Sequence, residues 1–231
     1  MPCANARSTV FGRRKGRRLR PARAALFESL LPSLALDLTT QPNSLSALFP
    51  NVVEEVRMEI GFGGGEHLMV QAHANPYVGF IGVEPFVDGV AKLLCAVAAA
   101  CTANIRVHQG DAIDVLAWLP PASLARIDLL YPDPWPKRRH WKRRFVQDRN
   151  IAAMSRVLRT GGELRFATDI ADYMAWTLRH LHGASAFEWT AKRAEDWRRP
   201  WPGYATTRYE VKAREAGRMP CYLVFRRSEG G

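Results

Sequence analysis

The sequence predicts an α/β fold: a mostly parallel, seven-stranded sheet with helices on both faces. Three observations lead there. From residue 52 onward, short apolar runs alternate with longer alanine- and leucine-rich segments. Strands separated by helices pair in parallel through right-handed crossovers. A glycine-rich turn, Gly61-Phe62-Gly63-Gly64-Gly65, separates the first such run from the first helical segment. Acidic residues then stand at or just after the ends of successive runs: Glu59, Glu84, Asp111, Asp133 and Asp169. In open α/β sheets the ligand sits outside the carboxyl ends of the strands.

The elements follow in order. Residues 24–36 are expected to be helical with an interruption at Pro32, and the segment up to residue 55, carrying Pro42 and Pro50, reads as a connection. Residues 56–60 form the first strand, 61–65 the turn, and 66–75 a helix ended by Pro76. Residues 78–83 form the second strand and roughly 86–101 the next helix. Residues 105–108 are the third strand, followed by a short helix over 112–119. Residues 127–130 are the fourth strand. Ile151, Met154, Val157 and Leu158 share one face of a helix over 149–159, which Gly161-Gly162 should stop. Residues 163–168 are the fifth strand and 170–181 the last long helix. Residues 187–190 and 222–226 make a final strand pair.

At 231 residues one domain is the default, with chain enough for a large core. Apolar residues at 47% and charged residues at 24% describe an ordinary globular chain, and no apolar run reaches the roughly 18 residues that span a bilayer. The unusual feature is a net charge of +11, which points to a polyanionic partner, nucleic acid ahead of membrane surface. Residues 1–23 hold Arg7, Arg13, Arg14, Lys15, Arg17, Arg18, Arg20 and Arg23 and no acid. They read as a disordered basic tail able to bind phosphates. An organelle transit peptide is the competing reading, whereas a secretory signal lacks its apolar core. Cys3, Cys95, Cys101 and Cys221 show no metal-like spacing, so free thiols in a reducing, cytoplasmic setting are expected, with no metal. A monomer or weak homodimer is the expected state.

The densest chemistry lies in residues 131–144. Tyr131-Pro132-Asp133-Pro134-Trp135-Pro136 holds three prolines at alternate positions. Without backbone donors and with φ fixed, it can be neither helix nor central strand. It is a stiff loop that sets one carboxylate, Asp133, between two aromatics. Lys137, Arg138, Arg139, Lys142, Arg143 and Arg144 follow at once. An acidic, aromatic-walled pocket suits a flat base, and a cationic strip suits its phosphates. A solvated charge run after a proline-rich turn is the simpler reading.

The glycine turn discriminates among cofactors. A dinucleotide fingerprint needs a third glycine where Glu66 stands, and a carboxylate at that helix start would oppose a pyrophosphate. S-adenosyl-L-methionine carries no phosphate but has an ammonium and a sulfonium. Glu59, Asp111 and Asp133 would welcome those cations, and Glu84, after the second strand, can accept both ribose hydroxyls. Gly61, Gly63 and Gly65 would let the ligand approach the backbone. This is the pattern of a Rossmann-like S-adenosylmethionine-dependent methyltransferase, with residues 56–231 as its catalytic domain. Each acid taken singly is an ordinary loop residue.

Across residues 56–227 the chain resembles the tRNA (guanine-N7)-methyltransferases of the bacterial single-chain type. The resemblance rests on Tyr131-Pro132-Asp133-Pro134-Trp135-Pro136-Lys137-Arg138-Arg139-His140-Trp141-Lys142-Arg143-Arg144. Three shorter matches support it: Glu59-Ile60-Gly61-Phe62-Gly63, Phe166-Ala167-Thr168-Asp169, and Thr207-Arg208-Tyr209-Glu210. Tyr131 stands where the family has Phe, Trp141 interrupts the basic run, and Arg208 stands where Lys is common. The resemblance implies that Glu59, Glu84, Asp111 and Asp133 bind S-adenosylmethionine, and that Lys137, Asp169 and Thr207, Arg208, Tyr209 and Glu210 bind tRNA. It also implies a guanine of the variable loop as acceptor. Guanine N7 offers a lone pair and has no proton to lose, so its methylation needs no general base. Positioning and a carboxylate near the developing cation should carry catalysis, with Asp133 and Asp169 as the candidates. Helix capping competes for Asp169 and salt bridging to nearby arginines for Glu210. A methyltransferase acting on another nucleic-acid or protein amine, and a non-catalytic RNA-binding module, remain open alternatives at this level.

Overall fold

A computed structural model describes residues 16 and 18–229. Most of the basic tail, residues 1–15 and 17, lies outside the described residues. The chain runs α1 (Pro21–Ser29), α2 (Leu31–Leu34), a 3-10 turn (Leu45–Leu48), β1 (Glu55–Ile60), α3 (Glu66–Ala74), β2 (Val78–Val83) and α4 (Val87–Ala100). It continues with β3 (Ile105–His108), α5 (Ala112–Trp118), β4 (Leu124–Leu130), a second 3-10 helix (Arg138–Arg143), α6 (Asp148–Val157) and β5 (Leu158–Thr168). The last elements are α7 (Ala171–His182), β6 (Phe187–Trp189), α8 (Glu195–Arg198), α9 (Arg208–Glu215) and β7 (Cys221–Arg227).

The seven strands form one sheet in the order β3-β2-β1-β4-β5-β7-β6. The first five are parallel, and β7 is antiparallel to both β5 and β6. Alternation along the strands gives the sheet two faces. Val56, Met58 and Ile60 of β1 and Ile127 and Leu129 of β4 pack into one core with Ile151 and Met154 of α6 and Tyr173 of α7. A second core joins Leu68 of α3, Leu93, Leu94 and Val97 of α4, and Phe80, Ile105 and Val107 of the strands. Each fully buried aliphatic side chain contributes about 1.5–3 kcal/mol relative to exposure.

The N-terminal segment is part of this body. Leu26, Phe27, Leu30 and Leu31 pack on the α3–α4 core, and the Leu36 N–H donates to the Val107 carbonyl at 2.9 Å, extending the sheet beyond β3. α1 starts at Pro21 rather than at residue 24, because proline is well placed in a first helical turn where its missing donor costs nothing.

One expected boundary was wrong. α6 ends at Val157 and β5 begins at Leu158, so Gly161-Gly162 lies inside the strand and does not stop the helix. Leu124 pairs with Leu158 and Arg126 with Glu163, so residues 159–162 bulge opposite Ala125. Gly161, at φ 74°, supplies the left-handed residue that the bulge needs. α8, α9 and the two 3-10 helices were not expected.

Gly65 makes the clearest stability test. Its φ is 81°, and an added Cβ would lie 2.6 Å from Leu93 Cδ1. Gly65→Ala should therefore lower stability by about 1–3 kcal/mol through backbone strain and overpacking. Denaturant unfolding checks it, and an unchanged midpoint would remove this packing role.

Candidate active site

A cavity of about 410 Å³ opens at the carboxyl ends of β1, β2, β3 and β4. Gly61, Gly63, Glu84, Asp111, Asp133, Arg208 and Tyr209 line it, so sequence positions far apart converge there. Glu59, Gly65, Lys137, Asp169, Thr207 and Glu210 are not among its lining residues.

The turn after β1 holds three left-handed glycines, Gly61 at φ 73°, Gly63 at 60° and Gly65 at 81°. At Gly61 an added Cβ would meet nothing within 4 Å, so the turn presents bare backbone to open space. Glu84 fixes that turn to the end of β2. Its Oε2 accepts the Gly63 N–H at 2.7 Å and its Oε1 accepts the Phe86 N–H at 2.9 Å. Burial raises its carboxyl above the usual range, and the two N–H donors partly offset this. Asp111 caps α5, accepting the Ile113 N–H at 3.0 Å.

Asp133 sits on the proline loop after β4. Tyr131 at φ 48° and Trp135 at φ 43° both occupy the left-handed region, which is rare for aromatic residues. Such strain persists only where the surroundings over-determine it. Here the Tyr131 N–H donates to the Ala167 carbonyl at 2.7 Å, and Arg144 Nε donates to the Pro134 carbonyl at 2.9 Å. The Arg143 guanidinium lies 4.9 Å over the Trp135 ring. The Asp133 side chain reaches solvent, yet the protein mass around the cavity mouth holds its carboxyl above the usual range.

Several expected site residues lie outside the cavity lining, bonded to other side chains or to backbone. Glu59 follows Met58 on the opposite face of β1, away from the α6–α7 core, and is 4% exposed. Its Oε2 lies 2.7 Å from His67 Nδ1 of α3. Burial raises the Glu59 carboxyl, and Glu59 raises His67 against the opposing effect of burial. The pair is neutral overall whichever partner holds the proton. Thr207 caps α9 by accepting the Glu210 N–H at 3.2 Å. Glu210 is 2% exposed and accepts hydrogen bonds from Tyr222 Oη at 2.7 Å and from Arg214 at 2.8 and 3.0 Å. Arginine pairing is thus the observed state of Glu210. Thr207 and Glu210 hold α9 in place, and Arg208 and Tyr209 are the residues of that motif that reach the cavity.

Asp169 is no cap: the Ile170 N–H bonds to Thr168 Oγ1 at 3.2 Å, while Asp169 Oδ2 accepts Arg218 Nε at 2.5 Å. The cationic strip is also not uniform. Lys137, Arg138, Arg139 and Lys142 keep substantial exposure or face the cavity mouth, whereas Arg144 is 1% exposed. Arg144 pairs with Asp172 and lies 5.0–5.1 Å over the rings of Trp141, Tyr173 and Trp176, so it braces the loop. Sequence reasoning missed Phe86 and Arg149, which line the cavity. Phe86 was legible from its place two residues after Glu84. Arg149 carried no signal, because its position depends on how α6 packs.

The protein-family model described as “Putative methyltransferase” matches residues 54–222. The tRNA (guanine-N(7)-)-methyltransferase of Nitrobacter hamburgensis is 58% identical, over 97% of this chain and 89% of the relative. The protein of that name from Rhizobium meliloti is 56% identical over 97% of both chains. The chain belongs to the tRNA (guanine-N(7)-)-methyltransferase family. Solved structures of more distant sequence carry the same Rossmann-like fold. An aminoglycoside resistance methyltransferase, 15% identical, aligns with a TM-score of 0.56 over 83% of this chain and 98% of its own. TrmN from Thermus thermophilus, 14% identical, aligns with a TM-score of 0.54 over 89% of this chain and 48% of its own. Among the described residues, no helix is long and apolar enough to cross a membrane.

Two arginines of the one basic strip should therefore behave differently. Arg144→Ala removes buried packing and a loop anchor and should cost about 2–5 kcal/mol. Arg139→Ala, on the exposed side, should stay within about 0.5 kcal/mol of the parent. Equal thermal shifts for the two variants would contradict this division.

Proposed function

We propose that the cavity binds S-adenosyl-L-methionine lengthwise along the strand ends and presents its methyl group to guanine N7 of tRNA, in the variable loop. The observation that carries this reading is the order of the lining groups. Asp111 follows β3, Glu84 follows β2, the glycine turn follows β1 and Asp133 follows β4, and those strands are neighbours in that order. A nucleoside at the β3–β2 end leaves an amino-acid end over the turn and a reacting centre facing Asp133. The acids suit a phosphate-free group with two cationic centres, and the turn offers bare backbone where a Cβ at Gly61 would stand in open space.

When bound, the cofactor supplies an electrophilic methyl on a positively charged sulfur. The chain's own work is then to bind, orient and stabilise. Each Glu84 oxygen accepts one backbone N–H, which leaves a further lone pair for a ribose hydroxyl. Tyr131 and Trp135 wall the position where a planar base would lie. Asp133 faces the purine ring as it gains positive charge, an interaction stronger in the transition state than in the ground state. Asp169, held by Arg218 near the end of β5, would orient the acceptor. Lys137, Arg138, Arg139 and Lys142 would carry phosphate contacts that fix the register of the RNA. A base paired or stacked in folded tRNA has to leave its stack to reach Asp133.

The direct test is incubation of bulk tRNA with methyl-labelled S-adenosylmethionine, followed by nucleoside analysis. The label should appear as 7-methylguanosine at one position. Label confined to adenosine or to protein side chains would contradict the reading.

The pH dependence follows from Asp133. Only its ionised form stabilises the cationic purine, so the rate is present above its pKa and lost as pH falls through it. Because that pKa is raised, the acid limb of kcat should lie above the ordinary carboxylate range. Asp133→Asn should lower kcat on the order of 10²-fold and remove the limb. An unchanged limb in this variant would take the role from Asp133.

A further inference from the structure

We infer that Arg208 is the receptor for the carboxylate at the amino-acid end of the cofactor, and that it makes no contact with tRNA. The inference rests on the cavity reading above and assigns a residue that the motif resemblance gave to the RNA. Arg208 opens α9, and its guanidinium lies over the glycine turn: Nη2 is 3.2 Å from the point a Cβ of Gly63 would occupy, and Tyr209 Cε2 is 3.4 Å from it. Both side chains thus lie against the bare backbone of Gly63.

Charge balance selects Arg208 among the cavity's cations. The amino-acid end carries one ammonium and one carboxylate, and the glycine-turn side of the cavity must meet both. Lys142, Arg143, Arg144 and Arg149 also line the cavity, but all four come from the segment that runs from the end of β4 into the first turn of α6. Arg144 is already committed to Asp172 and the Pro134 carbonyl. Arg208 approaches from α9, and among the described residues its guanidinium has no carboxylate partner. Its contacts are a hydrogen bond from Nη2 to Tyr209 Oη at 3.1 Å and the Tyr209 ring 4.9 Å below. Its charge also reaches Glu84, where it lowers a carboxyl that burial has raised.

The fork is held before any ligand arrives. Thr207 caps the helix and buried Glu210 ties its first turn to Tyr222. Stacking on Tyr209 removes freedom from the long side chain, and a guanidinium fork matches a carboxylate in two-point geometry. The first-turn N–H groups of α9 add a favourable field for an anion.

The test is calorimetry with two ligands on the full chain. S-adenosylhomocysteine carries the carboxylate, and 5′-methylthioadenosine lacks the whole amino-acid end. Arg208→Ala should weaken S-adenosylhomocysteine binding about 10- to 100-fold, the loss expected for a charged hydrogen-bonded pair, and leave 5′-methylthioadenosine within about twofold. Arg208→Lys should recover part of the loss, and tRNA binding at fixed salt should be unchanged in both variants. Equal loss for the two ligands, no loss for either, or weakened tRNA binding in place of weakened S-adenosylhomocysteine binding would overturn the assignment. If the parent protein bound neither nucleoside, the cavity reading itself would fail before Arg208 came into question.

Discussion

The site exists because the strand order reverses beside β1. The chain lays down β1, β2 and β3 in one direction and then returns to place β4 on the other side of β1. Connections leaving the two sides of that point diverge, and a crevice opens over the carboxyl ends of the strands. Most of the cavity-lining groups discussed above enter through loops at that edge, and Arg149, Arg208 and Tyr209 enter from the first turns of α6 and α9. The reversal fixes where a ligand can lie, and the loops decide which ligand it is.

Holding those loops is the task of buried or half-buried polar groups, some at the cavity wall and some behind it. Glu84 stitches the β1 turn to the end of β2, and Arg144, packed among three aromatic rings, anchors the proline loop after β4. Glu210 does the same for α9 through Tyr222 of β7. Preorganisation of this kind matters most for a reaction that needs no proton transfer, since alignment and charge placement are then the main means of lowering the barrier. Left-handed Tyr131 and Trp135 on either side of Asp133 show how tightly the proline loop is held.

The legibility of the chain follows the range of the forces involved. β2 was readable to the residue as a short apolar run and β3 as an alternating apolar–polar one, each bounded by proline, glycine or polar residues. Gly61, Gly63, Glu84, Asp111 and Asp133 were readable as cavity-lining residues because the crevice of an open α/β sheet lies at its strand ends. Glu59 shares their position in the sequence pattern but points to the other face, where His67 receives it, and a count of acids cannot show that. Arg144 looked like any member of a basic strip until Trp176 and Tyr173, distant in sequence, enclosed it. α9 is mostly polar and is held by Thr207 and by the Glu210–Tyr222 contact, so no apolar periodicity announced it. The β5 bulge at Gly161 depends on pairing with β4, and the local sequence reads equally well as a helix stop.

The most direct test of the account is a crystal structure of the chain with S-adenosylhomocysteine. The account predicts adenine beside Asp111, both ribose hydroxyls on Glu84, the amino-acid end over residues 61–65, and sulfur facing Asp133. A ligand bound in the reverse direction, or seated away from the strand ends, would contradict it.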